Sequence, residues 1–229
     1  MPRQKRVDEA GVCYHAINRG NARQDIFHKP EDYEAFIRVL SQGLEKYAVE
    51  LFSFSLMPNH WHLVLRPQKK GEMGSLLRWV TATHSLRYHA HYHTRGEGHI
   101  YPARFKSFPV QDDIHFYVLC RYVERNPLRA NLVTKAEAWR YGSLYRWNQP
   151  TEPLPRILSP WPIPRLPNWN QHVNEPISEK ELSALRTCVN RGRPYGDDQW
   201  TEKMADKHGV WATLRPVGRP RKKKQTPVK

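Results

Sequence analysis

Apolar and polar positions follow two different periods along this chain, and the switches between them mark out its elements. Residues 12–19, Val-Cys-Tyr-His-Ala-Ile-Asn-Arg, predict a strand closed by a turn at Gly20-Asn21. Residues 30–47 predict a helix: Tyr33, Phe36, Ile37, Leu40 and Leu44 recur at helical spacing, and Pro30 suits a first turn. Residues 49–57 return to a period of two, Val-x-Leu-x-Ser-x-Ser, which puts Phe52 and Phe54 together on the other face of a strand. Pro58-Asn59 is a tight turn, and residues 60–66, His-Trp-His-Leu-Val-Leu-Arg, resume as the second strand of a hairpin. A long helical pattern covers 72–93 through Leu76, Leu77, Val80 and Leu86, followed by a loop at 94–99 with Gly96 and Gly98. Residues 104–110 read as a fourth strand. Asp112 or Asp113 then caps a helix through Ile114, Val118, Leu119 and Val123, expected to stop at Asn126 because the residue before a proline disfavours the helical region.

The order predicts an α+β fold of the ferredoxin-like βαββαβ kind, an antiparallel sheet with helices on one face. The pattern changes after Trp147. Pro150, Pro153, Pro155, Pro160, Pro162, Pro164 and Pro167 crowd one stretch, which predicts an extended connector or a strap lying on the surface. Beyond it, Ser178 caps a helix over 179–189, Gly192 to Gly196 makes a turn, and 198–208 is a second helix. This unit reads either as a helix-turn-helix or as a plain helical hairpin. The expected organisation is a main domain at 1–149, a Pro-rich linker at 150–175, a small helical DNA-binding unit at 176–214 and a basic tail at 215–229, the last expected to be disordered without DNA.

Charge narrows the partners. The 229 residues carry a formal net charge of +15, which points to a polyanion, nucleic acid above all. The basic residues travel with 11 Tyr, 8 Trp and 7 Phe, side chains on which unpaired bases stack. Cys13, Cys120 and Cys188 are odd in number and widely spaced, which argues against a disulfide framework or a zinc knuckle and for reduced thiols in cytosol. No apolar run follows the basic N-terminus and none is long enough to span a membrane, so a cytoplasmic, nucleoid-associated location is expected.

Two constellations could carry chemistry. His60 and His62 flank Trp61 on a predicted strand, so both imidazoles project from one face and can share a divalent cation. His89, His91 and His93 also alternate, but on a predicted helix, where only His89 and His93 share a face. The second constellation is Arg121-Tyr122-Val123-Glu124-Arg125-Asn126-Pro127. Tyr122 and Asn126 are four apart, so phenol and carboxamide lie on one helical face. If that face meets the histidine pair, the cation polarises a phosphate that the phenolate attacks. Two imidazoles and a neutral amide leave open positions, which suits Mg²⁺ or Mn²⁺ better than a closed zinc site. The residues alone also admit a plainer reading, with Tyr122 a packing aromatic and Asn126 a helix C-cap.

Pro58-Asn59-His60-Trp61-His62-Leu63-Val64-Leu65 resembles the PNHxHLL strand of single-strand insertion-sequence transposases of the HUH type. Tyr122-x-x-x-Asn126-Pro127-Leu128-Arg129-Ala130-x-Leu132-Val133 resembles the tyrosine helix of their REP-associated branch, and Trp139-Arg140-Tyr141-Gly142-Ser143 its following segment. Tyr14 to Asn21 and Arg104 to Ser107 match the first and fourth strands, so four ordered blocks span about residues 10–147. The resemblance implies cleavage of single-stranded DNA near imperfect hairpins through a 5′-phosphotyrosine, leaving a 3′-OH. It implies Tyr122 as nucleophile, His60 and His62 as metal ligands, and Asn126 where the family has an amide ligand, often Gln. Tyr117 is a rival nucleophile, but the residue four further on is Arg121, which cannot ligate a cation. Asn131 stands where Gly is commoner, and Asn tolerates the left-handed backbone that such a turn uses.

Arg191-Gly192-Arg193-Pro194 and Gly218-Arg219-Pro220-Arg221 resemble AT-hook cores, which enter a narrow minor groove, although the first also reads as a turn. Arg19, Arg104 and Lys106 are candidate phosphate contacts beside Arg191, Arg193, Arg219 and Arg221. The expected partners are single-stranded and hairpin DNA, with the protein a monomer or homodimer. Two competing readings are a domesticated, non-catalytic DNA-binding protein and a metal phosphodiesterase with water as nucleophile.

Overall fold

The computed structural model describes residues 7–149 and 155–215. Strands β1 (Cys13–Arg19), β2 (Val49–Met57), β3 (His60–Pro67) and β4 (Lys106–Val110) form one sheet in the order β2-β3-β1-β4, with every neighbouring pair antiparallel. Helix α1 (Pro30–Lys46) connects β1 to β2, and α2 (Glu72–His91) connects β3 to β4. This is the ferredoxin-like α+β arrangement, and the two crossover helices share one face of the sheet as expected. Tyr14, Ala16, Trp61, Leu63 and Leu65 point to that face and pack with Phe36, Leu40, Leu76 and Val80 in one core.

A third helix, α3 (Ile114–Arg129), covers the opposite face. Cys13, Val64, Phe108 and Val110 meet Phe116, Leu119, Cys120 and Tyr122 there in a second core. The sheet is thus buried on both faces. Antiparallel register places residues directly opposite each other on the same side. His15 stands across from Val64, Ile17 from His62 and Arg19 from His60, so β1 and β3 present these side chains towards α3.

Two sequence expectations are corrected here. Phe52 and Phe54 do not share a face. A bulge between Leu51 and Ser53 adds a residue to β2 and sends Phe52 to the α3 side, where its ring meets Phe116, while Phe54 stays in the first core. The last core helix does not stop at Asn126 but runs through Pro127 to Arg129. Pro127 has no N–H for the carbonyl of Val123, four residues back. Asn126 repairs the gap from its side chain, with Nδ2 donating to Val123 O at 3.4 Å and to Tyr122 O at 3.0 Å. The turn that ends α3 puts Asn131 at φ +55°, the left-handed position that its short polar side chain tolerates.

The proline-rich stretch, where described, is a strap rather than a free spacer. Ser159 N–H donates to Leu51 O on the outer edge of β2, and Trp161 Nε1 donates to Phe52 O. Together with Leu56 N–H on Tyr141 O and the bridge between Ser55 and Gly142, these contacts cover an otherwise open edge strand. A short helix that the prolines concealed, α5 (Trp169–Asn174), follows α4 (Ser143–Asn148) in chain order. Arg121 clamps it to α3 through the carbonyls of Glu175 and Pro176, and Arg125 through those of Val173 and Asn174. Below them Glu124 is fully buried and accepts from Ser143 Oγ at 2.6 Å and Trp169 Nε1 at 2.6 Å. Helices α6 (Glu179–Arg191) and α7 (Asp198–His208) form the C-terminal helical unit. It is tied to the other edge of the sheet, because Tyr195 N–H donates to Pro109 O and Gln111 N–H donates to Tyr195 O. Among the described residues no helix is long and apolar enough to cross a membrane.

Candidate active site

Alternation along β3 sends His60 and His62 out of the sheet towards α3, and Trp61 into the core behind it. Their ring centres are 5.0 Å apart. Tyr122, 7% exposed, comes down from α3 and stands edge-on to His62, with ring centres 5.8 Å apart and planes at 87°. These three side chains line one cleft of about 380 Å³ together with Arg19, Arg104, Lys106, Arg129, Arg186 and Asn190. Among the described residues no carboxylate lines it. The cleft is therefore a cationic trough floored by aromatic and imidazole rings, a shape and charge that suit a phosphodiester chain.

Both imidazoles are held in place through Nδ1. His60 Nδ1 lies 2.6 Å from Asn59 Oδ1, and His62 Nδ1 lies 2.8 Å from His15 Nε2. That leaves Nε2 of each ring for an outside partner. Burial lowers the pKa of His60 to about 3, with the nearby Arg19 and Arg129 adding to the effect, and it lowers that of His62 well below the ordinary range. Both rings are thus neutral at physiological pH, the form in which imidazole ligates a cation. The pair fits a divalent ion that takes its remaining partners from phosphate and water. Among the described residues no group of three or more His, Cys, Asp or Glu side chains is placed to hold a metal ion.

The profile of the family described as "Transposase IS200 like" matches residues 9–126, more than half of the chain. The chain belongs to the IS200-like transposase family. No curated protein matches it significantly. Among solved structures it is similar to a REP-associated tyrosine transposase bound to a REP hairpin, at 15% identity and a TM-score of 0.53, covering 78% of this chain and all of that one. A transposase structure from Deinococcus radiodurans R1 matches over 53% of this chain and 96% of its own, at 15% identity and a TM-score of 0.38.

Within this IS200-like transposase the other sequence candidates separate. Arg19, Arg104 and Lys106 reach the cleft. Arg104 lies just before β4, which begins at Lys106 and not at 104. Asn126 is fully buried and does not line the cleft; its Oδ1 accepts from Arg129 Nη2 at 2.7 Å. Tyr117 faces away, its hydroxyl donating to Pro164 O on the strap. Arg191 Nη2 donates to Ala212 O, and Gly192, at φ +68°, ends α6. With Pro194 and Tyr195 continuing to the sheet edge, the first Gly-Arg-Pro segment is a turn and not an extended hook. His93 lies past the end of α2, so His89 and His93 do not share a helical face. Arg219 and Arg221 lie outside the described residues.

Among the cleft residues that sequence reasoning did not single out are Arg129, Arg186 and Asn190. Arg129 lies in the segment that resembles the family's tyrosine helix and places its guanidinium 5.7 Å from the ring centre of Tyr122. Arg186 and Asn190 are four apart on α6, a spacing that signals a shared face, but nothing in their neighbourhood says which surface that face meets.

Proposed function

We propose that this chain cleaves and rejoins single-stranded DNA beside hairpins of the REP kind, with Tyr122 as nucleophile and a divalent cation, Mg²⁺ or Mn²⁺, held by His60 and His62. The observation that carries the reading is the meeting of Tyr122 with His62 and His60 in one cleft lined by basic residues and, among the described residues, by no carboxylate. The hairpin preference is carried over from the structural relative, which holds a REP hairpin.

Arg19, Arg104 and Lys106 hold backbone phosphates and lead the strand across the rings. The phenol oxygen of Tyr122 attacks phosphorus, an O–P bond forms, the bond to the 3′ oxygen breaks, and that oxygen leaves as a hydroxyl. The phenol proton passes to solvent water as the new bond forms, and the departing 3′ oxygen takes up a proton from water, so the proton count closes. The cation, when bound, supplies charge that polarises the scissile phosphate. Asn126 joins its ligands only if Oδ1 gives up Arg129. Residues 1–149 supply this chemistry, 176–214 wall the cleft on one side, and the basic tail with Arg219 and Arg221 adds sequence-independent affinity for DNA.

A labelled hairpin oligonucleotide with a single-stranded flank, incubated with the protein and Mg²⁺ or Mn²⁺, should yield an adduct that survives SDS. Tyr122→Phe should abolish that adduct and leave hairpin binding nearly intact, because it removes one oxygen. Adducts that persist in the variant reassign the nucleophile. Cleavage without any adduct makes the protein a water-dependent phosphodiesterase, and binding without cleavage makes it a DNA-binding protein alone.

A further inference from the structure

His15 is fully buried on β1, and its ring stacks on His62 with centres 5.0 Å apart at 26°. On its other side lies Phe108, also with ring centres 5.0 Å apart. Its Nε2 is the atom 2.8 Å from His62 Nδ1, and its own Nδ1 has no hydrogen-bond partner. Only one proton fits between two nitrogens at that distance, so the tautomers of the two rings are coupled. When His62 is the donor, its Nε2 offers a lone pair to the cleft. When His15 is the donor, His62 Nε2 carries a hydrogen and cannot ligate a cation.

The two cleft histidines are supported differently. His60 leans on the amide oxygen of Asn59, an acceptor. His62 leans on a second imidazole, which can play either part. A residue that merely filled the space between Phe108 and His62 would need no nitrogen, and a buried polar atom without a partner is costly. Packing alone does not account for a histidine here.

We propose that His15 is a positioning residue of the cation site: it accepts from His62 Nδ1–H and holds that ring with the Nε2 lone pair facing the cleft. It touches neither cation nor DNA. The inference rests on the reading of His60 and His62 as ligands.

The test compares full-length wild type with His15→Leu, which fills similar space without a polar atom, and His15→Gln, which can return an oxygen near the position of Nε2. Mn²⁺ binding is read without DNA from the electron paramagnetic resonance of the free ion. The His62 tautomer is read from ring ¹⁵N spectra of the metal-free chain. His15→Leu should weaken Mn²⁺ binding roughly 10- to 100-fold, as loss of such outer support does elsewhere, and shift His62 towards its Nε2–H form. Its melting curve and metal-free hairpin binding should stay at wild-type levels, and His15→Gln should recover most of the lost affinity. Wild-type Mn²⁺ affinity in His15→Leu, or equal loss in both variants, overturns the proposal. A wild-type chain that takes up no Mn²⁺ refutes the ligand reading itself. In that case the ring spectra alone judge His15, and an Nε2–H form of His62 in the wild type counts against it.

Discussion

Arg129 Nη2 donates to Asn126 Oδ1 at 2.7 Å while its guanidinium lies 5.7 Å from the ring centre of Tyr122. One side chain therefore links the amide that repairs α3 to the phenol that faces the cleft. Removing that amide has a calculable consequence. Asn126→Ala leaves Val123 O without its side-chain donor, opposite a proline that has no N–H, and should cost about 1–2 kcal/mol of stability. In a Pro127→Ala background the backbone N–H returns, and the same Asn126→Ala change should cost measurably less. Urea unfolding of the four chains gives the coupling, and equal costs in both backgrounds would refute the repair. A parallel loss of Mn²⁺ affinity in Asn126→Ala would show that its carboxamide serves the cation as well.

All three proposed catalytic side chains line one cleft of one chain, so no second subunit is needed to bring Tyr122 to His60 and His62. Mixing a Tyr122→Phe chain with a His62→Ala chain should therefore give no SDS-stable adduct at any ratio. If α3 were exchanged between subunits, one combination in the mixture would regain an intact site and adduct would reappear. Gel analysis of a mixing series on labelled hairpin DNA distinguishes the two.

Much of this was legible from periodicity. Alternation on β3 placed His60 and His62 on one face, and spacing on α3 favoured Tyr122 over Tyr117, which the structure turns to the strap. What escaped has physical reasons. Phe fits either face of a sheet, so the extra residue of the β2 bulge leaves no mark on the pattern. A proline rule reads backbone alone and cannot see Asn126 supplying the missing donor from its side chain. The face that α6 presents to the cleft follows from the Tyr195 contact with β4, a link between distant parts of the chain. Nothing in the pattern along α3 marks Glu124 as buried; Ser53 of β2, Ser143 and Trp169 of α5 enclose it from distant parts of the chain.

That burial makes Glu124 a source of pH dependence. Burial raises its pKa, against the lowering influence of Arg165 and the hydrogen bonds from Ser143, Trp169 and Ser53. A carboxyl whose folded pKa exceeds the unfolded one stabilises the fold at low pH, and that contribution is lost as pH climbs from the ordinary glutamate range to the folded value. Glu124→Gln cannot ionise and can still accept from Trp169 while donating to a serine hydroxyl. The melting temperature of the wild type relative to Glu124→Gln should therefore fall as pH rises above the ordinary glutamate range. A difference that stays flat, or that grows in favour of the wild type, would mean that Glu124 is held ionised by its donors.

Arg186 gives the C-terminal unit a part in the cleft that its sequence did not announce. It is exposed, projects from α6, and lines the same trough as Lys106 and Arg129. If the scissile strand lies along that trough, Arg186 neutralises one phosphate and displaces counterions in doing so. Arg186→Ala should then weaken binding of a hairpin with a single-stranded flank while leaving a blunt hairpin unaffected. The salt dependence of the flanked substrate should become shallower by about 0.7 in log–log slope, the value for one contact to a single strand. Fluorescence anisotropy across a salt series measures both quantities. Equal weakening for blunt and flanked hairpins would place the strand elsewhere and return Arg186 to the general basic surface, and an unchanged slope would remove it from the path altogether.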